Sequence, residues 1–290
     1  MVWALSNIAG DCAKFRDQLL ENGVMERILR ILDSPIDFEL EKISYWLVSN
    51  LCRHKNPAPN FEIVTQCIPY LARCLRSEQT ESISNACWAL KYLADGPWYQ
   101  INAIIEAGIC KSLVRILNDD QSNTVGVLLV CINISSGSHD QTQELLSCGI
   151  VAVISKLLDS SRDQSVLKSI AFLVSNIAAD EQQKIQELID AEIFSKLAKT
   201  FEISNNETKI EILHAIENAT LNGDNDQIIK IASGCTEILK AAIELNSEAK
   251  IIALQTLWNI TLAQKETNQE LTSLRNSKRH SNLIFFIRVT

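Results

Sequence analysis

The chain has 290 residues, a formal net charge of −8 and 47% hydrophobic residues, which is the composition of a folded chain rather than a disordered one. An acidic surface repels phosphate, so the charge argues against nucleic-acid binding. No apolar run is long enough to cross a membrane, and glycine (9) and proline (5) are scarce, which favours helices. A positively charged partner is the better electrostatic match.

The cysteines do not indicate a metal or cofactor site, and no known catalytic motif indicates an enzyme. The nine cysteines lie in apolar runs without a CxxC pair, and the four histidines do not cluster with them. We therefore predict core cysteines in a reducing compartment, with no metal and no cofactor. The sequence has no GxSxG, P-loop, GxGxxG or HExxH motif, so we predict that it is not an enzyme and has no catalytic residues. No secretory leader is recognisable, and the expected location is the cytoplasm and the nucleus.

Seven segments of similar pattern follow one another, each an apolar or aromatic run that ends in a polar or tyrosine residue. In chain order they are WALSN (3–7), WLVSN (46–50), WALKY (88–92), LVCIN (129–133), FLVSN (172–176), HAIEN (214–218) and QTLWN (255–259). Their last residues, called the ladder positions below, are 41 to 43 residues apart. A second set runs between them with the same period, at Leu32, Leu75, Leu117, Leu158, Phe201 and Ile243. A period of about 40–47 residues is typical of armadillo and HEAT arrays.

Each unit has the pattern of amphipathic helices. The segment MERILRIL (25–32) places apolar residues at i, i+3, i+4 and i+7, and one such unit cannot bury its apolar face alone. We therefore predict an all-α, armadillo-repeat, right-handed superhelical solenoid with one concave surface over residues 1–264, with about six to seven repeats. Residues 265–290 lose the period and are predicted to be a poorly ordered tail or an improvised cap. Four glycines are predicted to end helices in a left-handed conformation, namely Gly23, Gly108, Gly149 and Gly234.

The first three ladder segments pair an aromatic residue with a polar one four positions later, which places both on one helical face. The pairs are Trp3/Asn7, Trp46/Asn50 and Trp88/Tyr92. Asparagine can bond both polar groups of a peptide backbone, and tryptophan walls can hold the stems of lysine or arginine. The carboxylates of Asp11 and Asp95 are predicted to hold the cationic heads. Trp98 and Trp258 fall outside this pattern and are predicted to be core residues.

Several phrases resemble one family closely. VWALSNIAGD (2–11), WLVSNLCRHKNPAPNFE (46–62) and ACWALKYLADGP (86–97), together with EAGI (106–109) and EILHAIENAT (211–220), are similar to the importin-alpha (karyopherin alpha) family. The chain resembles an N-terminally truncated or divergent member. The resemblance implies a nuclear import adaptor that binds classical nuclear localisation signals in an acidic, Trp/Asn-lined groove, without nucleic acid or membrane partners. In the family a basic segment before the repeats binds importin-beta, and this sequence does not contain it.

The resemblance also implies two groups of site residues. The major-site-like group is Trp3, Asn7, Asp11, Trp46, Asn50, Trp88, Tyr92 and Asp95, in which Asp11 matches the carboxylate that pairs with the most buried lysine of the signal. The minor-site-like group is Asn133, Phe172, Asn176, Glu211, His214 and Asn218. This second group is eroded, because Leu129 stands for an arginine, Phe172 and His214 for tryptophans, and Ser169 for a glutamate.

Two alternatives stay open at this point. The chain could be an armadillo scaffold that binds another extended partner, as catenin-like proteins do with basic grooves and acidic peptides. It could also be a degenerate, non-importing paralogue. The retained Asp11 and Asp95 and the net charge favour the adaptor, whereas the eroded second group favours the alternatives.

Overall fold

The computed structural model describes residues 1–53, 55–119 and 123–287, with side chains as far as residue 269. Within these ranges the chain forms eighteen α-helices and one short 3-10 helix. It divides into two compact units, Met1–Leu157 and Leu158–Thr290. His54, which belongs to the family-like phrase 46–62, lies outside the described residues.

Unit 1 is a stack of helical repeats. Its helices are α1 (Val2–Asp11), α2 (Ala13–Glu21), α3 (Val24–Leu32), α4 (Phe38–Cys52), α5 (Phe61–Val64), α6 (Ile68–Cys74), α7 (Thr80–Ala94), α8 (Trp98–Glu106), α9 (Ile109–Asp119), α10 (Thr124–Ser135), α11 (His139–Ser147) and α12 (Ile150–Ser160), with the 3-10 helix Thr65–Cys67 before α6. The ladder positions lie on α1, α4, α7 and α10, and each of these ladder helices packs against the next. The predicted repeat unit of helices is therefore observed.

Unit 2 continues the same pattern. It begins at Leu158, in the last turn of α12, and contains α13 (Gln164–Ala178), α14 (Gln182–Asp190), α15 (Ile193–Ile203), α16 (Asn206–Asn222), α17 (Asn225–Ala242) and α18 (Ser247–Ile287). Its ladder helices are α13, α16 and α18, which pack in that order. The backbone of α18 runs without a break through position 264, so the predicted boundary between the array and a separate tail stays a prediction.

Polar side chains fix where the ladder helices begin. Asp37, Asp163 and Asn205 precede α4, α13 and α16, and the side chain of each accepts a hydrogen bond from a backbone N–H of the first turn. Such caps satisfy donors that the helix itself leaves unpaired. The sequence therefore sets the start of these three helices, and with it the register of the ladder positions on them.

Arginines join neighbouring repeats of unit 1 at the second set of periodic positions. Arg73 Nη2 donates to the Leu32 carbonyl at 2.7 Å, and Arg115 Nη2 donates to the Leu75 carbonyl at 2.6 Å. Leu32 and Leu75 lie at or just beyond the ends of α3 and α6, where the helices leave carbonyls without partners. The two bonds each join one repeat to the repeat before it.

Three of the four glycines that were predicted to end helices have the predicted left-handed conformation. Gly23, Gly108 and Gly149 have φ values of 72°, 71° and 87° and separate two helices of a repeat. The prediction for Gly234 is wrong, because this residue lies inside the continuous helix α17. A Cβ there would come within 3.1 Å of Ser195 Oγ, so the glycine allows close packing against α15 instead of a turn.

The core follows the helical periodicity, but two tryptophans do not join it. In α18 the buried residues Ala249, Ile252, Ala253, Thr256 and Ile260 form one stripe. Trp258 lies on the opposite side of that helix and is 64% exposed, and Trp98 in the first turn of α8 is 65% exposed. The prediction that both are core residues is therefore wrong.

Among the described residues, no helix combines the length and the apolar character that crossing a bilayer requires.

Candidate functional site

The aromatic members of the ladder pairs are presented at the surface of unit 1. Trp3 on α1 is 62% exposed, Trp88 on α7 is 41% exposed and Trp46 on α4 is half-buried. An exposed large aromatic ring costs free energy in water, so a row of them indicates a surface that gains stability when covered. Three consecutive ladder helices therefore each offer a flat apolar wall.

The ladder asparagines have a structural task that the sequence did not reveal. Asn50 Nδ2 donates to the Ser6 carbonyl at 3.0 Å and to Ser6 Oγ at 3.1 Å, and the Asn50 side chain packs against Gly10 on the preceding ladder helix. Asn133 Nδ2 donates to the Lys91 carbonyl at 2.9 Å. These amides bridge neighbouring repeats, and only their remaining hydrogen-bonding capacity is left for a ligand.

Asn7 differs from Asn50. Asn7 is exposed, and its amide nitrogen donates to the Trp3 carbonyl of its own helix at 3.0 Å. Asn50 is only 6% exposed, so contact with a peptide backbone at Asn50 is limited to the edge of its side chain. Trp3, Asn7 and Asp11 recur every four residues on α1 and share one face of that helix.

The two predicted carboxylates differ in their partners. Asp11 is exposed at the end of α1 and forms no ion pair with another described residue. Asp95 caps the end of α7, and its Oδ1 lies 2.8 Å from Lys55 Nζ. A cationic ligand could approach Asp11 directly, whereas at Asp95 it would compete with a lysine of this chain.

The aromatic wall of α7 also carries an ammonium group. The rings of Trp88 and Tyr92 lie 6.1 Å apart at 31°, and Lys91 Nζ lies 5.1 Å from the Trp88 ring centre and 5.5 Å from that of Tyr92. These distances are those of cation–π contacts. The third aromatic wall therefore differs from those of α1 and α4, because a cation of the chain already covers it.

The minor-site-like residues are distributed over both units. Asn133 lies on α10 in unit 1, whereas Phe172 and Asn176 lie on α13 and Glu211, His214 and Asn218 lie on α16 in unit 2. Asn218 repeats the contact of Asn50, since its Nδ2 donates to the Ser175 carbonyl at 3.1 Å and to Ser175 Oγ at 2.9 Å. The asparagine bridge is therefore common to the two units.

Acidic and titratable groups surround the ladder face of α16. His214 Nδ1 lies 3.2 Å from Glu217 Oε2. Burial raises the pKa of the Glu211 carboxyl, and the neighbouring His214 and Lys168 partly oppose this effect. Phe172 on α13 is 41% exposed. The ladder helices α13 and α16 thus keep an exposed phenylalanine and a carboxylate-rich face, but there is no tryptophan at the position that precedes Asn218 by four residues.

Buried thiols do not add a reactive group. Desolvation raises the pKa of Cys87, Cys110 and Cys235 to about 12. Thiols with such pKa values remain neutral at physiological pH, whereas nucleophiles and metal ligands need the thiolate. These cysteines are packing residues of the core.

Comparisons with known proteins agree with this repeat architecture. The model of the armadillo/beta-catenin-like repeat family matches residues 57–95. A designed armadillo repeat protein in complex with the peptide (KR)4 superposes with a TM-score of 0.73 at 26% identity, over 81% of this chain and 98% of that one. An engineered protein superposes with a TM-score of 0.79 at 27% identity, over 89% of this chain and 63% of that one. The all-α armadillo fold class is confirmed.

Among armadillo-repeat proteins, the curated relatives of this chain are importin alpha subunits. Importin subunit alpha-8 of Arabidopsis thaliana is 38% identical over 274 residues, which are 93% of this chain and 61% of the relative. Importin subunit alpha-1b of Oryza sativa subsp. japonica is 36% identical over 168 residues, 58% of this chain and 31% of the relative. The chain thus spans at most about three fifths of the length of these relatives. With the ladder phrases and the repeat helices, these matches show an armadillo-repeat chain that is similar to the importin-alpha family.

Proposed function

We propose that this chain binds extended, lysine- and arginine-rich peptides on the ladder face of α1 and α4, and that it acts as the cargo-binding part of a nuclear import adaptor. One observation carries the proposal: Trp3 and Trp46 sit at the surface of consecutive ladder helices, each one turn before an asparagine. The exposed carboxylate of Asp11 follows on the same face of α1.

Each of these groups suits one part of a basic peptide. The methylene stem of lysine or arginine packs on an indole face, and its charged head gains cation–π attraction there. Asp11 accepts a charge-assisted hydrogen bond from that head. The unused amide groups of Asn7 and Asn50 can bond the peptide backbone regardless of its sequence. We therefore expect the tryptophans and Asp11 to select basic side chains. The asparagines contribute affinity that does not depend on the peptide sequence.

The relatives support the same reading. The curated relatives are named importin subunit alpha, and one structural neighbour was solved with a peptide of alternating lysine and arginine. Membership of an armadillo family makes the chain a binding protein rather than an enzyme. From the same membership we propose that the protein operates in both the cytoplasm and the nucleus, with cargo carrying basic nuclear localisation signals as its partner.

We expect unit 2 to contribute less than unit 1 to the binding of basic peptides. Its ladder face retains Asn176, Asn218 and Glu211, but Phe172 and His214 give smaller aromatic faces than tryptophan. Because cation–π attraction is strongest for tryptophan, we expect any basic peptide to bind unit 2 more weakly than unit 1.

The proposal is tested by fluorescence anisotropy with a labelled import-signal peptide and a copy in which the key lysine is replaced by threonine, at low and moderate salt. We expect tight binding that this one replacement weakens by about tenfold or more, as the loss of a charge-assisted contact predicts. Weak binding that salt abolishes and that ignores the replacement would contradict the proposal.

An armadillo scaffold for another extended partner is the second candidate. It is favoured by Lys91 and Lys55, which place two ammonium groups beside the third ladder position. If this candidate is right, a glutamate-rich peptide binds more tightly than a basic one of equal length in the same assay.

A further inference from the structure

The ladder helix α7 carries a lysine beside its aromatic wall. Among the four ladder segments that begin with Trp or Phe, the residue just before the ladder position is Ser6 in α1, Ser49 in α4 and Ser175 in α13, but it is Lys91 in α7. A serine there leaves the aromatic wall uncovered, whereas a lysine reaches back over it. The chain itself thus supplies the comparison that makes Lys91 unusual.

Lys91 occupies the place that a cationic ligand would take. Its ammonium lies within 5.5 Å of the centres of both the Trp88 and the Tyr92 rings. A second cation on the same wall would be repelled by Lys91 and would have to displace it to gain the same attraction. A lysine of a bound peptide is therefore disfavoured at this third position.

The residues around Lys91 further disfavour a cation of a bound peptide. Lys91 and Tyr92 border a surface cavity of ≈ 590 Å³ that is also lined by Arg53, Lys55 and Asp95. The only carboxylate among the described lining residues, Asp95, is already paired with Lys55 at 2.8 Å. Neither Arg53 nor Lys91 forms an ion pair with a described carboxylate. The cavity is thus locally cationic in a chain whose formal net charge is −8.

The wall of this cavity is held in place. Buried Arg16 donates from Nη1 to the Arg53 carbonyl at 2.5 Å and from Nη2 to the Pro57 carbonyl at 2.8 Å. These bonds anchor the backbone at Arg53, the residue after α4, and at Pro57 to α2.

We infer that this cavity binds an acidic side chain of the same peptide whose basic residues lie on α1 and α4, with Lys91 as the residue that determines this preference. The inference rests on the proposed function and names its ligand more closely: a basic peptide that also carries an aspartate or glutamate. The carboxylate pairs with Lys91 and Arg53 and leaves the Lys55–Asp95 pair intact.

The test uses a basic import-signal peptide in which one glutamate is moved through every position, beside a matched series with glutamine. Binding to the wild-type chain, Lys91→Ser, Lys91→Arg and the distant surface variant Lys111→Ser is measured by anisotropy at low salt. We expect glutamate to bind up to about fivefold better than glutamine at one position, which is the upper end of the range for an exposed charge pair. Lys91→Arg and Lys111→Ser retain this preference, and Lys91→Ser loses it.

The outcomes separate this inference from the proposal beneath it. If the parent peptide binds but no position prefers glutamate, or if Lys91→Ser keeps the preference, the inference is wrong while the proposed function stands. If the parent peptide does not bind the wild-type chain, both are wrong. Circular dichroism of Lys91→Ser distinguishes a lost preference from a lost fold, and Lys91→Arg supplies the answer if Lys91→Ser does not fold.

Discussion

The ladder faces of the two units share their asparagines and differ in their aromatic walls. Asn50 in unit 1 and Asn218 in unit 2 each donate to the carbonyl and the hydroxyl of a serine on the preceding ladder helix. The wall four residues earlier is Trp46 in one case and His214 in the other. Repeat packing thus accounts for the bridging asparagines Asn50 and Asn218, and the selection of a ligand depends on their aromatic and charged neighbours.

The largest effect is expected from removing the asparagine bridge in either unit. Asn50→Ala leaves the Ser6 groups buried without their partner, which costs about 2 kcal/mol of unfolding free energy. Asn218→Ala is expected to cost a similar amount in unit 2. Urea unfolding followed by circular dichroism measures both changes.

Asn7→Ala is the matched control for the bridge. Asn7 is exposed and its amide bonds only the Trp3 carbonyl of its own helix, so its loss changes the unfolding free energy by less than about 0.5 kcal/mol. Equal destabilisation by Asn7→Ala and Asn50→Ala would contradict the structural role of the bridge.

A smaller effect separates the two carboxylates of unit 1. Asp11→Asn is expected to weaken a lysine-bearing peptide about fivefold at low salt, since an exposed ion pair contributes up to about 1 kcal/mol. Asp95→Asn is expected to have less than half of that effect in free energy, because Lys55 already pairs with Asp95. Anisotropy titrations at two salt concentrations measure both, and a larger loss for Asp95→Asn would reverse the assignment.

The smallest effect concerns the pH dependence of unit 2. Burial raises the pKa of Glu211 above its ordinary value, so Glu211 takes up a proton at a higher pH than an exposed glutamate does. A bound cation favours the carboxylate, so binding near Glu211 lowers this pKa and is lost as pH falls through the raised value. A carbon-13 NMR titration of the Glu211 carboxyl, with and without peptide, detects the shift.

Glu211→Gln is the control for that titration, because it removes the affected resonance and the pH dependence together. An unchanged Glu211 pKa in the presence of saturating peptide would mean that no cation binds beside it.

Periodicity was sufficient to predict the repeats, since apolar residues must recur on one face of every helix if the units are to stack. The same reasoning gave the left-handed Gly23, Gly108 and Gly149. It failed at Gly234, because a glycine also suits a close helix–helix contact, and only the packing against Ser195 distinguishes the two uses.

The chemistry of the site was less accessible to sequence reasoning. Bridges such as Asn50 to Ser6 join residues 44 positions apart, and they depend on the register between helices rather than on any local pattern. The contact between Lys91 and Trp88 could be predicted from the sequence, because Lys91 follows Trp88 by three residues and therefore lies on the same helical face. The contact between Lys55 and Asp95 depends on side-chain conformation, and no sequence pattern predicts it.

The central claim is that unit 1, through its tryptophans, is the principal site for basic peptides. The most direct test compares Trp3→Ala/Trp46→Ala with Phe172→Ala/His214→Ala by isothermal titration with one basic import-signal peptide. We expect the first pair to lower the affinity by more than about tenfold, as truncation of aromatic anchors does, and the second by less than about threefold. Equal losses, or a larger loss for the second pair, would contradict the claim.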